Sequence, residues 1–219
     1  QMYVDKSGEE ITEELYTFDD KGGRSVSLTP ELTPTVARMV VARQGALARP
    51  IKWFSTRPFW RYEQVQQGRF REFYQTNVDI FGSEQPEADA EILAVAADLM
   101  GDLGLSADEF QFRVSHRDIL GGLLESLDSE VATTEAIRAV DKRAKIDTEA
   151  YYELLGEAGL MRTEAEAFDE VLQADDLDDL IEFAGTDRVE SAVENLRAVL
   201  DATEAFGVRE HCTISLEPA

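Results

Sequence analysis

The chain predicts an α+β fold, an antiparallel sheet flanked by helices with an all-helical unit inserted. Three observations carry that prediction. Alternating, aromatic-rich runs such as PIKWFSTRPFWRYE and RFREFYQTNVDIFG have the period of strands. Segments with helical spacing lie before and after them. From about residue 129 to 208 proline is absent, acids dominate, and short helical patterns follow one another.

Taken in order, ELYTFDDKGGRSVSLTPE reads as a hairpin, with strands over 15–18 and 25–28 and Asp20-Lys21-Gly22-Gly23 as its turn. Thr33 suits a helix N-cap and Pro34 the first helical position, which places a helix over about 34–47. The two aromatic runs form a long antiparallel hairpin whose extended loop contains QVQQG. Pro86 opens a helix through Met100, FQFRVS is a further strand, and RDILGGLLESL begins another helix. EVATTEAIRAVDK, DTEAYYELLGEAG, AEAFDEVLQ, LDDLIEFAG and DRVESAVENLRAVLDATEAFG are the helices of the inserted unit, and HCTISLEPA returns to strand. Three segments follow: a core over 1–128, a helical insertion over 129–208, and a return strand over 209–219.

The 219 residues carry 45 Asp and Glu against 21 Lys and Arg, a formal net charge of -24. Only five of the basic residues are lysines. Such a surface fits a protein kept soluble at high salt, where ionic screening relieves its self-repulsion. One cysteine, Cys212, excludes an internal disulfide framework, and no apolar run is long enough to span a bilayer, so a cytoplasmic protein is expected.

Positive charge is gathered in one place. Arg38, Arg43, Arg49, Lys52, Arg57, Arg61, Arg69 and Arg71 stand in a stretch whose one acid is Glu63, and an anionic ligand is the simplest reason. No GxxxxGK[ST] is present, so a nucleotide here is not held by a P-loop. His116 and His211 lie far apart and Cys212 has no partner at metal-ligand spacing, so no metal site and no covalent nucleophile are expected. Gly121-Gly122 reads as a turn or helix-boundary pair.

Residues two apart in a strand share a face. One face of the second long strand therefore reads Arg71, Phe73, Gln75, Asn77, Asp79, and one face of the first reads Arg57, Phe59, Arg61, Glu63. If the two coincide, guanidinium forks for phosphate, an aromatic plate, an amide and a carboxylate share a floor. That set suits a nucleotide beside an amino acid.

FWRYEQVQQGRFREFYQTNVDIFG resembles the motif 2 strand-loop-strand of class II aminoacyl-tRNA synthetases, in the form found in histidyl-tRNA synthetases. LTPELTPTVARM is similar to that family's proline-glutamate-x-threonine signature, and KSGEEITEELYTFDDKGGR to the stretch before it. The resemblance covers roughly the first half of the chain and implies the class II synthetase sheet, with the helical stretch lying where archaeal and eukaryotic members carry an insertion. It implies histidine activation by ATP, with Mg²⁺, and transfer to tRNA(His) by a homodimer. Glu31 and Thr33 would hold the histidine α-amino group, with Leu32 lining the pocket. Arg61 would contact the amino-acid carboxylate and the α-phosphate. Glu63 would reach the adenine, Arg69 and Arg71 the outer phosphates, and Phe73 would stack on the base. Gln75 and Asp79 would recognise the substrate, Asp79 standing where the family often has glutamate. Motif 1 is expected upstream, and the arginine- and tyrosine-bearing histidine signature, motif 3 and the anticodon-binding domain downstream. The chain would thus hold about half of an active site and not catalyse by itself. A non-catalytic paralogue, such as the regulatory subunit of ATP phosphoribosyltransferase, is the alternative. A tRNA contact by the insertion would fall at Lys142, Arg143 and Lys145.

Overall fold

The computed structural model describes residues 11–127, 129–174 and 176–216. Residues 6–10, the start of the stretch preceding the N-terminal hairpin, lie outside them. The chain divides into two compact units, Gln1–Ser83 and Glu84–Ala219.

The first unit holds α1 (Ile11–Glu14), β1 (Thr17–Asp19), β2 (Ser25–Ser27), α2 (Thr33–Arg43), β3 (Ile51–Trp60) and β4 (Glu72–Phe81). β1 and β2 are antiparallel, and β1 starts later than the sequence suggests because the chain first makes the short α1. Asp20 closes the turn: its Oδ1 accepts the N–H groups of Gly22 at 2.8 Å and Arg24 at 2.9 Å, and Gly23 supplies the φ of 72°. Thr33 is the first residue of α2 instead of its cap. Leu32 occupies the N-cap with a helical backbone, and no side chain caps it. The helix also ends at Arg43, short of 47. Leu32, Val36 and Val40, four residues apart, form its buried stripe, which packs with Ile51 and Phe59.

β3 and β4 pair antiparallel over ten residues each, from Ile51↔Phe81 to Trp60↔Glu72. Gly68, with φ 77°, turns the loop between them, and Gln66 bridges to Arg69. On the far edge of β3 the Trp60 N–H donates to Thr29 O at 3.1 Å, and beyond the strand the Tyr62 N–H donates to Glu14 O at 2.8 Å. These bonds fasten the start of the described chain along the hairpin.

The second unit holds α3 (Pro86–Asp102), β5 (Phe112–Val114), α4 (Arg117–Glu125), α5 (Thr133–Val140), α6 (Thr148–Glu157), α7 (Arg162–Leu172), α8 (Leu177–Ala184), α9 (Asp187–Ala205) and β6 (Cys212–Ile214). The helical stretch expected from about residue 129 is present as α5 to α9. Side chains cap the starts of three of them: Asp147 accepts the Ala150 N–H, Asp176 that of Asp178 and Thr186 that of Val189. α9 packs against α3, α4 and α8, and Ile119, Leu123, Leu155, Phe168, Val193 and Leu196 are among its core. β6 pairs with β5 in parallel.

Gly121 and Gly122 are not at a boundary. They lie inside α4 where α9 crosses it, and a Cβ on Gly122 would stand 2.6 Å from Val189 Cγ2. Arg188 spans α4, pairing with Asp118 at 2.5 Å and Glu125 at 2.6 Å. His116 caps α4, its Nδ1 accepting the Asp118 N–H at 3.2 Å.

Asp169 of α7 is buried and is satisfied by Arg143, the Tyr152 hydroxyl and Gln173. Removing one partner of such a pair costs about 3–5 kcal/mol, because the charge left behind is uncompensated. Arg143 is therefore committed to the interior, whereas Lys142 and Lys145 are exposed. Cys212 is buried, with Sγ 3.5 Å from Val208 O, and burial pushes its thiol pKa up. No described helix is long and apolar enough to cross a membrane.

Candidate functional site

The register of the long hairpin decides which face its side chains share. Phe59 lies opposite Phe73, Arg57 opposite Gln75, Ser55 opposite Asn77 and Trp53 opposite Asp79. Directly opposed residues in an antiparallel pair point to the same side. The two expected faces therefore coincide, and Arg57, Phe59, Gln75, Asn77 and Asp79 share one floor. The other side carries Phe54 opposite Val78 and Thr56 bonded to Thr76 at 3.0 Å, and it is largely exposed.

At the loop end of the floor the cations are already placed on aromatic rings. The Arg61 guanidinium stands 5.4 Å over Phe73, Arg57 5.7 Å over Phe59, and Arg71 4.2 Å over Tyr62. Attraction to the ring face holds each arginine without consuming its hydrogen-bond donors. Tyr62 is braced edge-on by Tyr16 at 5.3 Å. Arg61 Nε also donates to Pro30 O at 3.2 Å, which ties the hairpin to the Glu31-Leu32-Thr33 segment. Arg71 Nε donates to Glu63 O at 3.1 Å, and Arg69 pairs with the Glu63 carboxylate. The Arg69 hydrogen bond holds the Glu63 pKa below the usual carboxylate range.

The strand end of the floor is different. Asp79 has its pKa raised, because burial penalises its charged form. Beside it the oxygens Ser55 Oγ, Gln75 Oε1 and Asn77 Oδ1 are buried with no hydrogen-bond partner among the described residues. An unsatisfied buried polar group costs about 1–3 kcal/mol, so three on one face are a standing expense in the chain alone.

The structure thus brings Arg61, Arg71, Phe73, Gln75 and Asp79 onto one hairpin, and places Glu31 and Thr33 on the segment that Arg61 grips. Leu32 is buried against Val36, Ile51 and Phe59. Glu63 and Arg69 lie in the loop and pair with each other. Ser55 stands outside the residues that the sequence singles out. The signal was there: two residues before Arg57, it continues the same alternation on β3. Among the described residues no group of three or more His, Cys, Asp and Glu side chains is placed to hold a metal ion.

A family model described as histidyl-tRNA synthetase matches residues 2–219. A histidine–tRNA ligase of Natronomonas pharaonis is 75% identical over the whole chain, which covers 51% of that protein. One from Haloarcula marismortui is 65% identical, with the same coverage. A chloroplastic/mitochondrial one of Arabidopsis thaliana is 36% identical over 95% of the chain and 43% of that protein. The chain spans about half the length of the curated relatives it matches. Among solved structures, histidyl-tRNA synthetase from Nostoc is similar with a TM-score of 0.78 at 19% identity, over 95% of this chain and 51% of that one. A protein described as an ATP phosphoribosyltransferase regulatory subunit/histidyl-tRNA synthetase, from Bacillus halodurans, gives 0.77 at 20% identity, over 94% and 54%.

Proposed function

The chain belongs to the histidyl-tRNA synthetase family, and from that premise we propose that the protein it comes from is a histidine–tRNA ligase, which activates histidine with ATP and transfers it to tRNA(His). The observation that carries the proposal is the β3–β4 register, which sets Phe73, Gln75 and Asp79 on one face, with the Arg61 guanidinium over Phe73 and its Nε donating to the Pro30 carbonyl.

The chemistry proposed is the one that the family resemblance implies for these residues. Arg61 binds the histidine carboxylate and the α-phosphate and stabilises the charge that grows as the carboxylate oxygen attacks phosphorus. Glu31 and Thr33 take the α-amino group, and Leu32 closes the pocket between them. Phe73 stacks on the adenine, Glu63 reaches its edge, and Arg69 and Arg71 meet the outer phosphates. Gln75 and Asp79 select the imidazole. No protein nucleophile is required, since holding the two reactants in line supplies much of the acceleration. Magnesium would enter as the ion that ATP carries; among the described residues no group of three or more His, Cys, Asp and Glu side chains is placed to hold it, and no step here runs through it.

The whole protein is proposed to act as a homodimer in a cytoplasm rich in salt. The acidity of the chain and its relatives from halophilic archaea support the salt. The regulatory-subunit reading is less favoured. A protein that only binds has no need of Arg61, Glu63, Arg71 and Gln75 in register, and the high-identity relatives are ligases.

The test is amino-acid-dependent ATP–pyrophosphate exchange in concentrated KCl with the full-length protein. Exchange is expected with histidine alone, and Arg61→Ala is expected to lower it by about a hundredfold or more. A folded, ATP-binding protein that shows no exchange with any amino acid would overturn the ligase reading.

A further inference from the structure

Ser55 and Asn77 are unexplained by the roles assigned above. They face each other across the hairpin between the Arg57–Gln75 and Trp53–Asp79 pairs. Both side-chain oxygens are buried and unpaired among the described residues, as is Gln75 Oε1. The neighbouring carboxylate of Asp79 is also partly shielded from water. Four oxygen-bearing side chains are thus lined up on one face, three of them with an unsatisfied oxygen.

A chain that merely needed to fill this face would gain by placing apolar residues there, as it does at Ile51, Phe59 and Phe81 on the same side of the same hairpin. We infer that Ser55 and Asn77 are specificity-determining residues, forming with Gln75 and Asp79 the base of the subsite that takes the amino-acid side chain. The row of acceptors fits a flat ring bearing N–H groups and carrying partial or full positive charge. It disfavours an apolar side chain of the same size, which would leave the oxygens buried without partners. This rests on the ligase reading, and it adds the two residues that lie between those already assigned.

The experiment uses the full-length protein in concentrated KCl, with Ser55→Ala, Asn77→Leu and the milder Asn77→Ser, each checked for a wild-type melting transition. Histidine-dependent exchange gives the KM for histidine and, separately, that for ATP. Histidine bearing a methyl group on one or the other ring nitrogen is tested as a competing substrate. In the variants the histidine KM is expected to rise about tenfold while the ATP KM stays within about twofold. The penalty for one of the two methylated histidines should also shrink, because the variant and the methyl group remove the same hydrogen bond. Asn77→Ser should recover part of the loss seen in Asn77→Leu. Unchanged histidine KM in all folded variants, or equal rises in both KM values, would overturn the inference while leaving the ligase reading intact. A wild-type protein without histidine-dependent exchange would overturn both.

Discussion

Asp79 is a carboxylate that the folded chain holds partly out of water, and its pKa is raised above the ordinary 3.8. The unfolded chain therefore ionises first as pH climbs. The stability associated with protonated Asp79 is complete below 3.8 and is lost as pH passes the folded value. Glu63 and Asp20 behave oppositely, since arginine bonds lower their pKa values, so stability gained through them is lost in acid. The Asp79 contribution is isolated by difference. Between about pH 4 and 7 the melting temperature of Asp79→Asn should gain on that of the wild type as pH rises. A constant difference between the two would show that Asp79 titrates as it does in the unfolded chain. The same desolvation suits binding, because a carboxylate with few waters to lose is a better partner for an imidazolium.

The crossing of α4 and α9 gives a sharper test of packing than any buried leucine. Gly122 has no room for a methyl group, because its Cβ would meet Val189 Cγ2 inside the core. A Cβ on Gly121 would stand 3.3 Å from the Arg188 guanidinium, the far end of a flexible side chain. Gly122→Ala should destabilise the second unit by about 1–3 kcal/mol. Gly121→Ala should be near neutral, since the helix gains roughly 1 kcal/mol from losing a glycine. Chemical denaturation distinguishes them, and equal effects would mean that α9 does not approach α4 as described. This pair also shows where sequence reading stops. Gly-Gly signals a break by local propensity, whereas here a distant helix demands the absence of side chains. The strands β3 and β4 were legible because their alternation is local and long. Thr33 was misplaced as a cap because α2 begins one residue earlier, with Leu32 fixed by the core instead of by a hydrogen bond. The candidate floor was half legible. Alternation listed Asn77 on the second strand but began the first strand's face at Arg57, and only the register set Ser55 against Asn77.

At the scale of the molecule, a net charge of -24 on 219 residues means that each added acid is repelled by the rest. The Debye length falls from about 10 Å in 0.1 M salt to about 3 Å in 1 M salt, so concentrated KCl quenches that repulsion. The melting temperature should rise as KCl increases from about 0.1 M to molar concentrations, even though exposed ion pairs such as Arg162 with Glu149 and Glu166 weaken. A melting temperature that falls with KCl would show that those pairs outweigh the global field. The solitary thiol offers a way to watch the second unit under the same conditions. Cys212 is the sole cysteine of the chain, and it is shielded, held close to a carbonyl and disinclined to ionise. An aromatic disulfide reagent should modify the native protein orders of magnitude more slowly than the denatured chain. The lag before colour develops would then serve as a native stopwatch for the opening of β6 from its core, with no label added.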